Sequence, residues 1–117
     1  MSIISHREYN LFGVKNEDLN RFVEEIKTFL ESGCGHCVHM HGYVINVYKD
    51  NIVCCGSFPI GVTVEIEGPE KQPIYDWDSK IYSKVIEICK RERIEHDEFK
   101  PPEMLYLSEN GVPTSIV

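Results

Sequence analysis

The sequence predicts an α+β fold in which an antiparallel sheet of about four to five strands packs against two helices. Two stretches with apolar residues at helical spacing and one alternating strand support this prediction. The expected order is helix, three strands, helix, and one or two strands (α-β-β-β-α-β). Because strands and helices do not alternate along the chain, we do not expect a doubly wound parallel sheet. At this length, residues 1–117 should form a single domain.

The first predicted element is a helix over residues 17–31. Asn16 can cap its amino terminus, and Gly33 can end it. Glu17 and Asp18 in the first turn complement the positive end of the helix dipole. The apolar residues of the helix recur on one face, as expected for a helix that packs on a sheet. They are Leu19, Phe22, Val23, Ile26, Phe29 and Leu30.

A β-rich segment follows the first helix. Residues 38–48 contain valine, isoleucine and tyrosine at the density of a strand. Residues 49–51 (Lys49, Asp50 and Asn51) predict a tight turn, so that residues 52–58 return as the second arm of a hairpin. After Pro59, residues 61–67 alternate between apolar and polar side chains, which predicts a strand with one face in water.

The second helix is predicted over residues 77–92, after a loop at residues 68–75. Asp76 stands where an N-cap residue is expected. Several basic residues lie in the second half of this helix, where cations complement the negative end of the dipole. Its buried stripe is expected to contain Trp77, Ile81, Val85, Ile88 and Cys89.

The last predicted elements lie at the carboxyl end. Residues 104–107 form a short strand, and Asn110-Gly111 predicts a turn after it. Residues 112–117 can then pair back as an edge strand. Pro113 favours an edge position, because proline has no backbone N–H to donate to a second neighbour.

The chain is acidic, with nineteen acidic and twelve basic residues and a formal net charge of -7. This charge repels nucleic acid and anionic membranes, and it attracts basic proteins. No apolar run approaches the ~20 residues that a membrane-spanning helix needs. We therefore expect a basic protein partner, with neither nucleic acid nor membrane as a partner.

The chain contains five cysteines. Their number is odd, and the amino-terminal residues lack the basic and apolar regions of a secretory signal peptide. We therefore expect a reducing, cytoplasmic compartment and thiols that are free or bound to metal. A bridge between the adjacent Cys54 and Cys55 would be strained and is not expected.

Five cysteine and histidine side chains between residues 34 and 41 allow two chemical interpretations. Cys34-Gly35-His36-Cys37 is identical to the active-site tetrapeptide of protein disulfide isomerases, which implies thiol–disulfide exchange. In that family a strand precedes the motif and a helix follows it, whereas here the predicted order is reversed. Alternatively, Cys34, Cys37, His39 and His41 supply the four soft ligands of a zinc site.

A third interpretation needs no cofactor, and it is the one that we adopt. The cluster then consists of surface or partner-facing side chains near a helix end. Cys54, Cys55 and Cys89 are small apolar residues of the core. No nucleophile elbow, phosphate-binding glycine loop or zinc-protease helix occurs in the sequence. We therefore do not expect an enzyme.

Small size, acidic charge and an α+β fold without a catalytic motif are typical of proteins that act through their surface. In these general properties the chain is similar to the small acidic immunity proteins that bacteria pair with secreted toxins. The likeness implies an inhibitor that covers the active site of a basic, nuclease-like toxin, although no motif supports it. Acids and aromatics expected to be exposed are the candidate contacts. They are Glu65, Glu67, Glu70, Tyr75, Asp76 and Asp78.

The interpretation without a cofactor makes a prediction about the purified protein. Prepared without chelator or affinity metal, it should be metal-free and should carry five free thiols. Native mass spectrometry with elemental analysis measures both. One zinc ion per chain, lost together with the fold on adding chelator, would instead identify Cys34, Cys37, His39 and His41 as ligands.

Overall fold

A computed structural model describes residues 2–32, 42–53, 57–107 and 113–115 of the chain. Within these ranges it contains five strands and two helices, which confirms the predicted α+β class. In chain order the elements are β1 (Ser2–Asn10), α1 (Asn16–Ser32), β2 (Val44–Val53), β3 (Ser57–Gly68), α2 (Lys71–Glu92), β4 (Glu103–Leu107) and β5 (Pro113–Ser115).

The five strands form one antiparallel sheet in the order β2-β3-β1-β4-β5. Helix α1 connects β1 to β2, and β3 lies between those two strands. Helix α2 connects β3 to β4, and β1 lies between them. This interleaving of two β-α-β units is the split β-α-β, or ferredoxin-like, arrangement, with β5 added at one edge. Many unrelated functions use this arrangement, so the fold alone indicates none of them.

The core lies between the sheet and the two helices. Val62, Val64 and Ile66 of β3 are buried there, which confirms the predicted apolar face of this strand, whereas Thr63 on the predicted wet face is also buried. The predicted apolar stripe of α2 is also confirmed, since all five of its residues are buried. Both helices contribute to one hydrophobic cluster and therefore cover the same face of the sheet.

Helix α1 agrees closely with its prediction, because its apolar period and its flanking residues indicate the same boundaries. It extends one residue further at each end than the predicted range, from Asn16 to Ser32. Asn16 also joins the helix to the sheet, since the Lys49 Nζ of β2 donates a hydrogen bond of 2.9 Å to its Oδ1. The predicted end at Gly33 lies outside the described residues.

Helix α2 begins six residues before its predicted start, so the predicted loop at residues 68–75 is wrong from Lys71 onward. Pro73 is compatible with this start, because it lies in the first turn, where the backbone N–H has no partner within the helix. Glu70 occupies the N-cap position without a side-chain hydrogen bond. Asp76 lies inside the helix, where its Oδ1 accepts a hydrogen bond of 3.0 Å from Gln72.

The middle of the chain forms two long strands where three were predicted. Lys49, Asp50 and Asn51 do not form a turn, because they lie in β2, which shows an irregular register between Asp50 and Asn51. Strand β2 begins at Val44, and the predicted residues 38–41 lie outside the described residues. Pro59 does not end a strand either, since β3 continues through it.

A close approach between β3 and β1 explains a glycine in the middle of the sheet. A Cβ atom on Gly61 would lie 2.0 Å from the backbone oxygen of Tyr9. No side chain fits at that distance, and the neighbouring atom belongs to the backbone and cannot turn away. The glycine therefore allows β3 to pair with β1 and β2 at this point.

The carboxyl-terminal strands agree with the sequence prediction. Strand β4 spans Glu103–Leu107, one residue more than predicted, and pairs with the first half of β1. Strand β5 pairs with β4 at the edge of the sheet, and Pro113 is its first residue. The predicted turn at Asn110-Gly111 lies outside the described residues.

Strand β1 was not predicted, although it occupies the centre of the sheet. Its residues alternate between the two faces, and Ile3, Ser5, Arg7 and Tyr9 point toward the helices. Two of these inward positions are polar, so the apolar alternation that normally identifies a strand is interrupted. A charged partner on α2 compensates for the buried charge of Arg7.

That partner is Asp78, whose carboxylate accepts a hydrogen bond from Arg7. Arg7 Nη1 lies 2.6 Å from Asp78 Oδ2, and the two side chains are 10% and 6% exposed. The Arg7 guanidinium also lies 4.5 Å from the centre of the Tyr82 ring and 5.4 Å from that of Tyr9. Burial raises the pKa of Asp78, and the Arg7 guanidinium opposes that rise.

The buried ion pair predicts a characteristic response to mutation. Arg7→Met and Asp78→Leu should each lower the free energy of unfolding by about 3–5 kcal/mol, because each leaves one uncompensated buried charge. The double variant should lose clearly less than the sum of the single losses, since no orphan charge remains. Urea unfolding of the four proteins measures this coupling, and strictly additive losses would contradict it.

Candidate functional site

The face of the sheet opposite the helices is the candidate site, and we call it the outer face. Side chains that alternate with the core residues point to it from β1, β2, β3 and β4. No helix within the described ranges packs on it. Its described residues are Ser2, Ile4, His6, Glu8, Asn10, Val44, Asn46, Tyr48, Asp50, Gly61, Thr63, Glu65, Glu67, Glu103 and Leu105.

The outer face is strongly acidic. Five of the described residues of this face carry carboxylates. Its described residues include no lysine and no arginine. Strand pairing brings the acids together, since Glu65 and Glu103 lie opposite His6 on either side. The two basic residues of β1 and β2, Arg7 and Lys49, belong to the opposite side of the sheet. The five carboxylates of the outer face are those of Glu8, Asp50, Glu65, Glu67 and Glu103.

Hydrogen bonds orient several of these carboxylates. The Tyr48 hydroxyl donates to Glu65 Oε1 at 2.6 Å, and the Thr63 hydroxyl donates to Asp50. Partial burial and the neighbouring Glu65 carboxylate raise the pKa of Tyr48, which keeps its hydroxyl protonated as a donor. His6 Nε2 lies 3.3 Å from Glu8 Oε1. The acids are therefore held in a defined arrangement on the sheet.

Exposed apolar and aromatic side chains lie beside the acids on the outer face. Val44 is 52% exposed, and it lies in one row across the sheet with Glu67, Ile4 and Leu105. Tyr48 is 40% exposed. Exposed apolar and aromatic groups next to charged groups are the composition that protein-binding surfaces use.

A cavity of about 420 Å³ opens at the border of the outer face. It forms because β4 pairs only with residues 2–6 of β1, so that residues 97–101 pass beside the second half of that strand. Four carboxylates and one ammonium group, that of Lys100, are among its lining groups. The half-exposed ring of Phe12 lies at its margin. The acids are Glu8, Asp97, Glu98 and Glu103.

The structure separates the six residues that were predicted to contact a partner. Glu65 and Glu67 lie on the outer face. Glu70, Tyr75 and Asp76 are exposed at the start of α2, which belongs to the helix layer. The expectation that Asp78 is exposed was wrong, because this residue is only 5% exposed and pairs with Arg7.

Three acids of the outer face were missed by the sequence analysis. Glu8 lies on the unpredicted strand β1, Asp50 was placed in a turn, and Glu103 lies just before the predicted start of the last strand. The alternation of Arg7 and Tyr9 with His6 and Glu8 was a signal for β1, but it required a charged residue to be accepted in the core.

The cysteine and histidine cluster at residues 34–41 lies outside the described residues, as do Cys54 and Cys55. The zinc and the disulfide-exchange interpretations of that cluster therefore stay predictions. In the described part of the chain, no group of three or more histidine, cysteine or acidic side chains is arranged to hold a metal ion. Cys89 is buried, which confirms its predicted place in the core.

Comparisons of the chain with protein-family models, with curated proteins and with solved structures found no match. Among the described helices, none has the length and apolar character required to cross a membrane. The function is therefore argued from the geometry and charge of the described surface.

The buried position of Cys89 predicts its reactivity. Burial raises the pKa of this thiol to about 11, so very little thiolate is present at neutral pH. At pH 8, Cys89 should react with a thiol reagent more than about a hundredfold more slowly than it does in denaturant. Timed alkylation followed by peptide mass spectrometry measures this rate, and fast labelling in the folded protein would contradict the burial.

Proposed function

We propose that this protein binds a basic protein partner through the outer face of its sheet and that it acts as an inhibitor of the immunity type. The observation that supports the proposal is the charge of that face, which has five carboxylates and, among its described residues, no lysine or arginine. A partner with clustered lysine and arginine side chains is complementary to it.

The same charge argues against two other kinds of partner. Proteins that bind nucleic acid on a sheet offer cations to the phosphates and aromatic rings to the bases. Here the outer face offers carboxylates, which repel phosphates at short range. Anionic lipid surfaces are disfavoured for the same reason. A basic protein is the macromolecular partner that this face attracts.

Inhibition would proceed by steric and electrostatic occlusion. A nuclease needs a cationic active site to bind its substrate, and an acidic surface that covers this site excludes the nucleic acid. The acidic cavity beside Phe12 has room for a lysine or arginine side chain of such a partner. Val44 supplies exposed apolar surface at the other end of the contact, and Tyr48 supplies an exposed ring in the row of Glu8.

Charge also determines how quickly such a complex forms. Fixed acids on a rigid sheet steer a basic partner into contact and raise the association rate at low salt. An immunity protein must capture its toxin before the toxin damages the cell, so rapid association suits this role. We place this activity in the cytoplasm, in keeping with the odd number of cysteines.

The test compares two variants that lose the same charge from different faces. Glu8→Gln/Glu103→Gln removes two exposed carboxylates from the outer face, and Glu17→Gln/Glu24→Gln removes two from the exposed side of α1. The partner is first isolated with the wild-type protein, identified and purified. At low salt, the outer-face variant should bind it about 10–100-fold more weakly, and the helix variant should bind it as the wild type does.

Two further measurements complete this test. The difference between the variants should shrink as salt is raised, because ions screen surface charges. If the partner is a nuclease, equimolar wild-type protein should abolish its activity, and the outer-face variant should inhibit it less. An acidic partner, or equal binding by the two variants, would overturn the proposed surface. A partner whose activity is unaffected would overturn the inhibitor function.

A further inference from the structure

A second cavity lies on the helix side of the molecule. Its volume is about 460 Å³, which is large enough for a small organic ligand. One wall is the loop after β1 at residues 12–14, the second is the face of α1 that carries Arg21 and Phe22, and the third is the chain at residues 88–94.

Three of the four arginines of this acidic chain line the cavity. Asp18 pairs with Arg21, and Arg91 donates hydrogen bonds to Glu25 at 2.6 Å and to Glu92 at 3.1 Å. Each of these ion pairs leaves other N–H groups of the guanidinium free, because arginine has five donors. Arg93 forms no ion pair within the part of the chain that the structure describes. The cavity therefore has unused cationic donors.

The backbone at Arg93 adds an independent observation. Arg93 ends α2 in the left-handed conformation with a φ of 54°, and it is the only residue other than glycine with a positive φ in the described ranges. Glycine is the least strained residue at such a position. An arginine there incurs a conformational cost, and strained residues of this kind cluster at ligand-binding sites.

The inner part of the cavity is apolar. Phe22 and Ile88 are buried there, and the ring of Phe12 is 49% exposed at the entrance. Charged groups at the margin and apolar groups below them match a ligand that has one polar end. Because three carboxylates, those of Asp18, Glu25 and Glu92, also line the cavity, a singly charged anion suits it better than a polyphosphate.

We propose that this cavity binds a small organic monoanion, namely a carboxylate attached to an aromatic or branched apolar body. Arg93 holds the carboxylate together with the free donors of Arg21 and Arg91. The apolar body lies against Phe12, Phe22 and Ile88. This site shares only the Phe12 ring with the acidic cavity beside the outer face, and it does not depend on the function proposed for that face.

The experiment titrates the full-length, ¹⁵N-labelled protein with phenylacetate and follows its amide resonances. Saturable shifts should concentrate at residues 12–14 and 93–94. Phenylacetamide has the same shape without the charge, and acetate has the charge without the ring. Both should bind about tenfold more weakly or worse, because each lacks one half of the recognition.

Two variants locate the anion contact. Arg93→Gly removes the guanidinium and relieves the left-handed strain, so it should fold at least as stably as the wild type and bind phenylacetate about tenfold more weakly. Lys90→Gln removes one positive charge from an exposed position of the same helix that does not line the cavity, and it should bind normally.

Several outcomes would overturn the inference. They are an absence of saturable shifts with phenylacetate, shifts that concentrate away from the cavity, equal binding of phenylacetamide, and equal losses in the Arg93→Gly and Lys90→Gln variants. The last outcome would mean that net charge, and not the cavity, attracts the anion.

Discussion

The buried ion pair between Arg7 and Asp78 is the constraint on which the two-layer structure depends. It joins the central strand to α2, so the two layers are connected at the middle of the sheet. Removing two charges from water is unfavourable, and good geometry must compensate for the loss of hydration. The short contact and the rings of Tyr9 and Tyr82 around the guanidinium provide part of that compensation, and burial still raises the pKa of Asp78. The pair also determines register, because a slip of β1 by one residue would turn Arg7 outward and bury His6 and Glu8.

The same alternation explains why the outer face is acidic. Once Arg7 and Tyr9 must point inward, His6 and Glu8 must point outward. Strand pairing then places Glu65 of β3 opposite His6 on one side and Glu103 of β4 opposite it on the other. The acidic character of the outer face and the buried cation are therefore two results of one strand register. In β2, the same rule assigns Lys49 to the helix side and Tyr48 to the outer face.

The sequence predicts an element of this structure well where the periodicity of the element and its flanking residues indicate the same boundaries. The periodicity of α1 and the alternation of residues 61–67 agree with their flanking residues, and both elements were predicted well. The start of α2 was predicted too late, because Asp76 was taken as its N-cap, although a first helical turn tolerates Pro73. The turn at residues 49–51 was a local preference that strand pairing overrides. Strand β1 depends on a partner far along the chain, which local patterns do not show.

The residues of the outer face divide in the same way, into those that local patterns predict and those that only strand pairing places. Glu65 and Glu67 were predicted because their strand alternates clearly, whereas Glu8 and Glu103 could be assigned only from the pairing of β1. The sheet therefore brings together acids from four separate segments of the chain, and their mutual repulsion opposes folding. A fold that accepts this repulsion on one face must recover stability elsewhere, and here the buried core supplies it. A cationic partner that neutralises the outer face removes the repulsion, so the energy stored in the free protein adds to the affinity of the complex. The charge that weakens the isolated sheet is thus the charge that would hold a basic partner on it.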